Sequence, residues 1–228
     1  MKRVLVVGAS RGIGLEFVHQ YLDVGETGAV GAQVWATARS DEGLARIEAL
    51  GAHALRLDVA GAESGGTLAA SIGGQTFDTM LLVAGVFGPR TQGLQTPTQA
   101  EFDTVMHTNV LGVMRVLPQA LDLLARGAKL AVVSSRMGSI GLRTSPAGWL
   151  YRASKAAVNS VLKDASLVLA GKATCVALHP GWVKTDMGGE GADIDVQTSV
   201  RTMRQTLAGL TAADNGGFFN HDGQPLAW

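Results

Sequence analysis

The chain has 228 residues, 46% hydrophobic and 17% charged, with 19 basic side chains against 19 acidic ones. At that length an α/β unit buries roughly 70% of its unfolded surface, which gives a full core to a single domain over residues 1–228. A formal net charge of zero leaves no electrostatic excess for a polyanion or an anionic membrane, so neither nucleic acid nor membrane is an expected partner.

The apolar run after Met1-Lys2-Arg3 is only Val4 to Val7, too short for a signal peptide, and nowhere does an apolar stretch reach membrane-spanning length. Short β-branched runs then alternate with helix-length segments, the pattern of a parallel sheet wrapped on both faces by helices. Strands are predicted over residues 3–7, 33–38, 53–58, 79–83, 130–134 and 174–179, with a short seventh near 218–220. Helices are predicted over 13–24, 41–50, 99–117, 149–169 and 196–210, the third opened by a Thr98/Glu101 capping box and ended or kinked by Pro118. Residues 86–97 and 181–195 read as long loops that emerge at the carboxyl edge, where open α/β sheets bind ligands. The single cysteine, Cys175, sits in a predicted buried strand, reads as an inert core thiol and fits a reducing cytoplasm.

After the first strand comes Gly8-Ala9-Ser10-Arg11-Gly12-Ile13-Gly14, leading directly into an amphipathic helix. Such glycines let the backbone turn sharply and let a pyrophosphate approach the free N–H groups of the helix start, although methyltransferases and unliganded turns use similar sequences. The second strand ends Thr37-Ala38-Arg39, without the acidic residue that would bind an adenosine ribose hydroxyl. Arg39 and Arg11 instead offer two guanidinium forks to a 2′-phosphate, which points to NADP(H) over NAD(H). Asp58, with Val59 after it, is placed near the adenine. Further on, Tyr151 and Lys155 stand four apart and share a helix face, where an ammonium favours the phenolate and brings the phenol toward useful acid–base range.

In order along the chain, Gly8/Gly12/Gly14, Asp58, Ala84-Gly85, Asn109, Ser135, Tyr151/Lys155 and Pro180-Gly181 resemble the short-chain dehydrogenase/reductase family over essentially the whole length. More narrowly, residues 151–159, 179–187 and 222–228 are similar to sniffer-type carbonyl reductases and C-factor-like signalling proteins. The resemblance implies a doubly wound, Rossmann-type α/β fold with a mostly parallel sheet of about seven strands. It implies that Tyr151 protonates the carbonyl oxygen, Ser135 polarises it, Lys155 binds the nicotinamide ribose and acidifies the tyrosine, and Asn109 distorts its helix and holds a relaying water. Ser10 and Ile13 in the glycine turn would contact the phosphates, and Pro180, Gly181, Val183 and Thr185 would line the nicotinamide.

Val7 replaces the family's frequent threonine and Leu82-Val83 its two asparagines. Family members space serine and tyrosine by about thirteen residues, whereas Ser135 stands 16 and Ser139 stands 12 before Tyr151. Ser135 is preferred because it ends a strand; Ser139 is the alternative. The five histidines show no metal-ligand spacing, and His179 reads as packed or cofactor-adjacent. Trp149, Trp182, Met137, Leu142, Val86 and Phe87 are candidate walls of an apolar substrate pocket. The expected activity is hydride transfer between NADP(H) and a small aldehyde, ketone or alcohol, in a homodimer or homotetramer paired through the helices carrying Asn109 and Tyr151. The alternative is a cofactor-binding signalling module with incidental turnover.

Overall fold

Each β-branched run forms a strand in the computed structural model, which describes residues 1–23 and 31–228. The strands are β1 (Arg3–Val7), β2 (Gln33–Ala38), β3 (His53–Arg56), β4 (Phe77–Leu82), β5 (Leu124–Val133), β6 (Ala173–His179) and β7 (Gly217–Asn220). They form one sheet of seven in the order β3-β2-β1-β4-β5-β6-β7, and every neighbouring pair is parallel. The chain builds outward from β1 to β3 and then returns to lay β4 on the other side of β1. The connections leaving β1 and β4 therefore diverge and open a crevice at the carboxyl edge.

The helices are α1 (Gly12–Leu22), α2 (Asp41–Ala49), α3 (Ser64–Ile72), α4 (Gln99–Met106), α5 (Gly112–Val116), α6 (Ala120–Leu123), α7 (Trp149–Val168) and α8 (Val196–Gly209). Alternate residues of the central strands face opposite layers, so a strand buried on both sides must be apolar throughout. Leu5, Val7, Met80 and Leu130 pack with Leu68 of α3, Val116 of α5 and Leu162 of α7. Val4, Val6, Leu81 and Val176 pack with Phe17 of α1, Ile47 of α2 and Met203 of α8. Cys175 is fully buried within the first of these layers, and desolvation pushes its thiol up to about 12, which keeps it inert.

Several boundaries differ from the sequence expectation. The first helix begins at Gly12 and ends at Leu22; the predicted end, Val24, lies outside the described residues. β3 stops at Arg56 because Asp58 turns its carboxylate back to accept from the Ala60 N–H at 3.0 Å. The predicted helix over 99–117 is interrupted by a π-helical turn, His107–Leu111, before α5. Pro118, which lacks an N–H, sits in a tight 3₁₀ turn, Leu117–Gln119, and the chain continues into α6, so proline kinks this stretch without ending it. The capping box is present, Glu101 N donating to Thr98 Oγ1 at 3.2 Å and Thr98 N to Glu101 Oε2 at 2.8 Å. The sequence reading does not include α3, because its Ser64-Gly65-Gly66 start disfavours helix; Leu68, Ala69 and Ile72 pack it on the core, and Gln119 accepts from Ala69 N and donates to Ser64 O.

Candidate active site

The crevice at the ends of β1 and β4 holds a cavity of about 370 Å³ whose two ends have different chemistry. At one end lies the glycine turn. Gly8 adopts φ +93°, and a Cβ there would lie 2.6 Å from Ala84 N, so only glycine lets β1 turn against β4. A Cβ on Gly14 would fall 2.1 Å from Gly8 O, which requires glycine where the helix start closes onto the turn. Thr37 of β2 fixes the turn from below, its Oγ1 accepting from Gly8 N at 3.0 Å and its carbonyl from Ala9 N at 2.8 Å.

α1 has neither a capping side chain nor an acidic residue in its first turn, whereas Ser40, Thr98 and Asp195 cap α2, α4 and α8. Its uncapped N–H groups border the cavity with Ser10, Arg11, Gly12 and Ile13, which suits a phosphate. Arg39 and Asp58 line the same end, and Val59, Ala84 and Gly85 carry the wall toward the centre. Arg39 is exposed and forms no salt bridge among the described residues. Arg11 pairs with Asp186 at 3.0 Å. A third arginine that the sequence did not single out, Arg46, donates to Ser10 O at 3.2 Å and props the turn.

At the other end Tyr151 and Lys155 reach the cavity from α7. The tyrosine ring stacks on Phe87 at 4.5 Å between centroids and is 7% exposed. Burial pushes its phenol up to about 12, while the neighbouring Ser135 hydroxyl pulls the other way. This direction is opposite to the expected acidification by Lys155. The ammonium instead donates to Val133 O at 2.9 Å and stands 5.7 Å from the tyrosine ring centroid. Burial lowers Lys155 to about 8.

Ser135 follows β5, and its Oγ accepts from Met137 N at 3.1 Å, which fixes the hydroxyl beside Tyr151. Ser139 is fully buried and committed elsewhere: it donates to Trp228 O at 3.2 Å and accepts from Leu142 N at 3.0 Å. Asn109 lies in the π-helical turn and is 1% exposed. Its Oδ1 accepts from Val86 N at 2.8 Å, and its Nδ2 donates to Val86 O at 2.8 Å and Ser154 Oγ at 2.9 Å. Ser154 in turn donates to Tyr151 O at 2.8 Å. The asparagine thus ties the segment after β4 to the catalytic helix, a link invisible in sequence because Ser154 is one of many small residues in that run.

The family model described as short chain dehydrogenase matches residues 2–193. The chain belongs to the short-chain dehydrogenase family. Carbonyl reductase Sniffer of D. melanogaster superposes with a TM-score of 0.89 at 31% identity, covering 100% of both chains. An NADPH-bound carbonyl reductase from chicken fatty liver superposes with a TM-score of 0.87 at 31% identity, covering 100% of this chain and 99% of that one. Among curated proteins, C-signal of Myxococcus xanthus is 41% identical over 123 residues, 53% of this chain and 74% of its own length.

Of the residues that the short-chain dehydrogenase pattern singles out, the cavity gathers the glycine turn, Arg39, Asp58, Val59, Ala84, Gly85, Tyr151, Lys155, Pro180 and Thr185. Asn109, Ser135, Gly181 and Val183 are not part of its lining, while Thr37, Thr108, Lys184, Asp186 and Met187 join it unforeseen. His179 is half-buried beside Pro180, with a buried Nδ1 that has no partner; desolvation, with His221 and Arg136 nearby, lowers it to about 4, so it is neutral at pH 7. Of the predicted apolar walls, Phe87 and Met137 converge on Gly148 beside Tyr151, whereas Trp182 is 52% exposed and donates to Gly188 O.

Proposed function

We propose that this short-chain dehydrogenase is an NADP(H)-dependent carbonyl reductase that converts a small aldehyde or ketone with an apolar body to the alcohol. The observation that carries this reading is one cavity with a glycine turn and free arginine at one end and a buried Tyr151 phenol beside Ser135 and Lys155 at the other. NADPH, when bound, supplies the hydride. The α1 N–H groups and glycine turn hold its phosphates, and Arg39 and Arg11 take the 2′-phosphate; with no carboxylate after Ala38, NAD(H) is the poorer cofactor. Asp58 and Val59 face the adenine, and Pro180, Gly181, Val183 and Thr185 hold the nicotinamide.

Ser135 donates a hydrogen bond to the substrate's carbonyl oxygen, where negative charge develops, and Tyr151 Oη gives its proton to that oxygen. A phenol pushed up to about 12 stays protonated until that charge appears, which suits the reductive direction. Lys155 binds ribose hydroxyls and steadies the phenolate left behind. Asn109 is a positioning residue that sets the Val86 segment against α7. Phe87 and Met137 form the apolar wall.

The protein acts as one domain in the cytoplasm, where Cys175 stays reduced, and pairs as a homodimer or tetramer. Phe102, Met114 and Leu121, 43%, 51% and 44% exposed on the helical stretch around Asn109, support that pairing. A second reading, a signalling role with incidental turnover, is favoured by the identity to C-signal. NADPH and NADH oxidation against a panel of aldehydes and ketones tests the proposal: turnover with NADPH preferred supports it, and no turnover with any carbonyl overturns it.

A further inference from the structure

The segment after β6 crosses the cofactor end of the cavity and is fastened on both sides by arginines distant in sequence. Asp186 Oδ2 accepts from Arg11 Nη1 on the glycine turn at 3.0 Å. The next residue, Met187, offers its carbonyl to Arg90 Nη2 at 2.6 Å. Arg90 in turn lies over the Phe87 ring at 4.9 Å, and Phe87 stacks on Tyr151. The segment is also braced internally: Thr185 Oγ1 accepts from Gly188 N at 3.1 Å and donates to Val183 O at 3.3 Å, and Trp182 Nε1 donates to Gly188 O at 2.9 Å. Arg11, Asp186 and Met187 all line the cavity. A carboxylate on a braced segment thus occupies one of the guanidinium groups available to a phosphate at this end.

We propose that Asp186 is a determinant of cofactor affinity and choice, holding Arg11 as an internal stand-in for the 2′-phosphate and surrendering it when that phosphate binds. This rests on the reading of Arg11 as a 2′-phosphate ligand. Both partners are open to solvent, 70% and 76% exposed, so their pairing is weak and readily exchanged. A phosphate carries nearly twice the carboxylate's charge and offers three acceptor oxygens, which makes it the stronger partner for a guanidinium. Once released, Asp186 remains near the cavity because Arg90 still pins Met187, and its like charge continues to oppose the phosphate. Both effects penalise a 2′-phosphorylated ligand and neither touches its unphosphorylated counterpart.

Calorimetric titration with 2′,5′-ADP and with 5′-AMP, which lacks only the 2′-phosphate, keeps the redox reaction out of the measurement and tests this on the full chain. Asp186→Asn should tighten 2′,5′-ADP about fivefold at low salt, leave 5′-AMP unchanged and lose its advantage at high salt. Arg11→Gln should weaken 2′,5′-ADP, and in the Arg11→Gln background Asp186→Asn should have a smaller effect, because no pair remains to be broken. If Arg11→Gln weakens 2′,5′-ADP while Asp186→Asn leaves it unchanged or weakens it, the proposal for Asp186 fails and the reading of Arg11 stands. If Arg11→Gln leaves 2′,5′-ADP unaffected, that reading fails and takes the proposal with it.

Discussion

Replacing Lys155 by methionine should make the protein more stable while removing its activity. The ammonium is 5% exposed, its hydrogen bond goes to Val133 O, and it has no carboxylate partner among the described residues. A fall from 10.5 to about 8 corresponds to about 3 kcal/mol of penalty for carrying the charge in the fold. Methionine keeps most of the stem's packing and forfeits one hydrogen bond worth about 1 kcal/mol, leaving a net gain of about 2 kcal/mol. For a chain of this size that raises Tm by about 4–8 °C. The sign of the pH dependence follows from the depressed value. Below about 8 both folded and unfolded chains hold the proton, and the folded form bears the whole penalty. Between about 8 and 10.5 only the unfolded chain holds it, so wild-type stability rises with pH across that window. Thermal unfolding of cofactor-free wild type and Lys155→Met at pH 7 and at pH 9.5 should show the variant ahead at pH 7 and the gap largely closed at pH 9.5. A variant less stable at pH 7, or a gap that does not change with pH, would refute the reasoning.

Ser135→Ala should lower turnover by roughly 10²–10³ with little effect on Tm, as expected for one donor to a developing oxyanion. Ser139→Ala should do the reverse: it removes the bonds to Trp228 O and from Leu142 N, lowers stability by about 1–2 kcal/mol and leaves kcat near wild type. Steady-state rates and denaturant unfolding on both variants check the pair, and exchanged effects would reassign the serine. Arg39→Asp should remove a preference for NADPH over NADH of roughly 10- to 150-fold, the worth of one charge-assisted bond. Comparison of kcat/KM for the two cofactors in wild type and variant checks it, and a variant that keeps its preference would make Arg39 a mere surface charge.

The positions of the strands and the residues that meet at the two ends of the cavity were legible because they depend on local chemistry: β-branched runs, glycines at strand ends, and a tyrosine and lysine one helical turn apart. What escaped depends on tertiary burial. The helical repeat around residues 99–117 has the spacing of an ordinary helix; a distortion at Asn109 is expected from the family resemblance alone, and the fold gives it as a π turn whose contacts of Asn109 with Val86 and Ser154 no spacing reveals. The direction of the Tyr151 shift escaped because spacing shows that an ammonium is near but not how deeply the phenol is buried, and burial is what raises it. The choice between Ser135 and Ser139 rests on where a strand ends, whereas the bonds of Ser139 to the backbone of residues 142 and 228 are tertiary and invisible in sequence. The short helix over 64–72 opens with two glycines, so its existence follows from the packing of Leu68, Ala69 and Ile72 and the Gln119 bonds and not from its own propensity.

The central claim is that Tyr151 supplies the proton in an NADPH-dependent carbonyl reduction. Its most direct test is kcat for an aromatic aldehyde measured beside NADPH affinity by fluorescence, in wild type and in Tyr151→Phe. The account predicts that the variant binds NADPH within a few-fold of wild type and loses roughly 10²–10⁴ in kcat, because the missing hydroxyl acts in proton transfer and not in holding the cofactor. Turnover retained in Tyr151→Phe would contradict it.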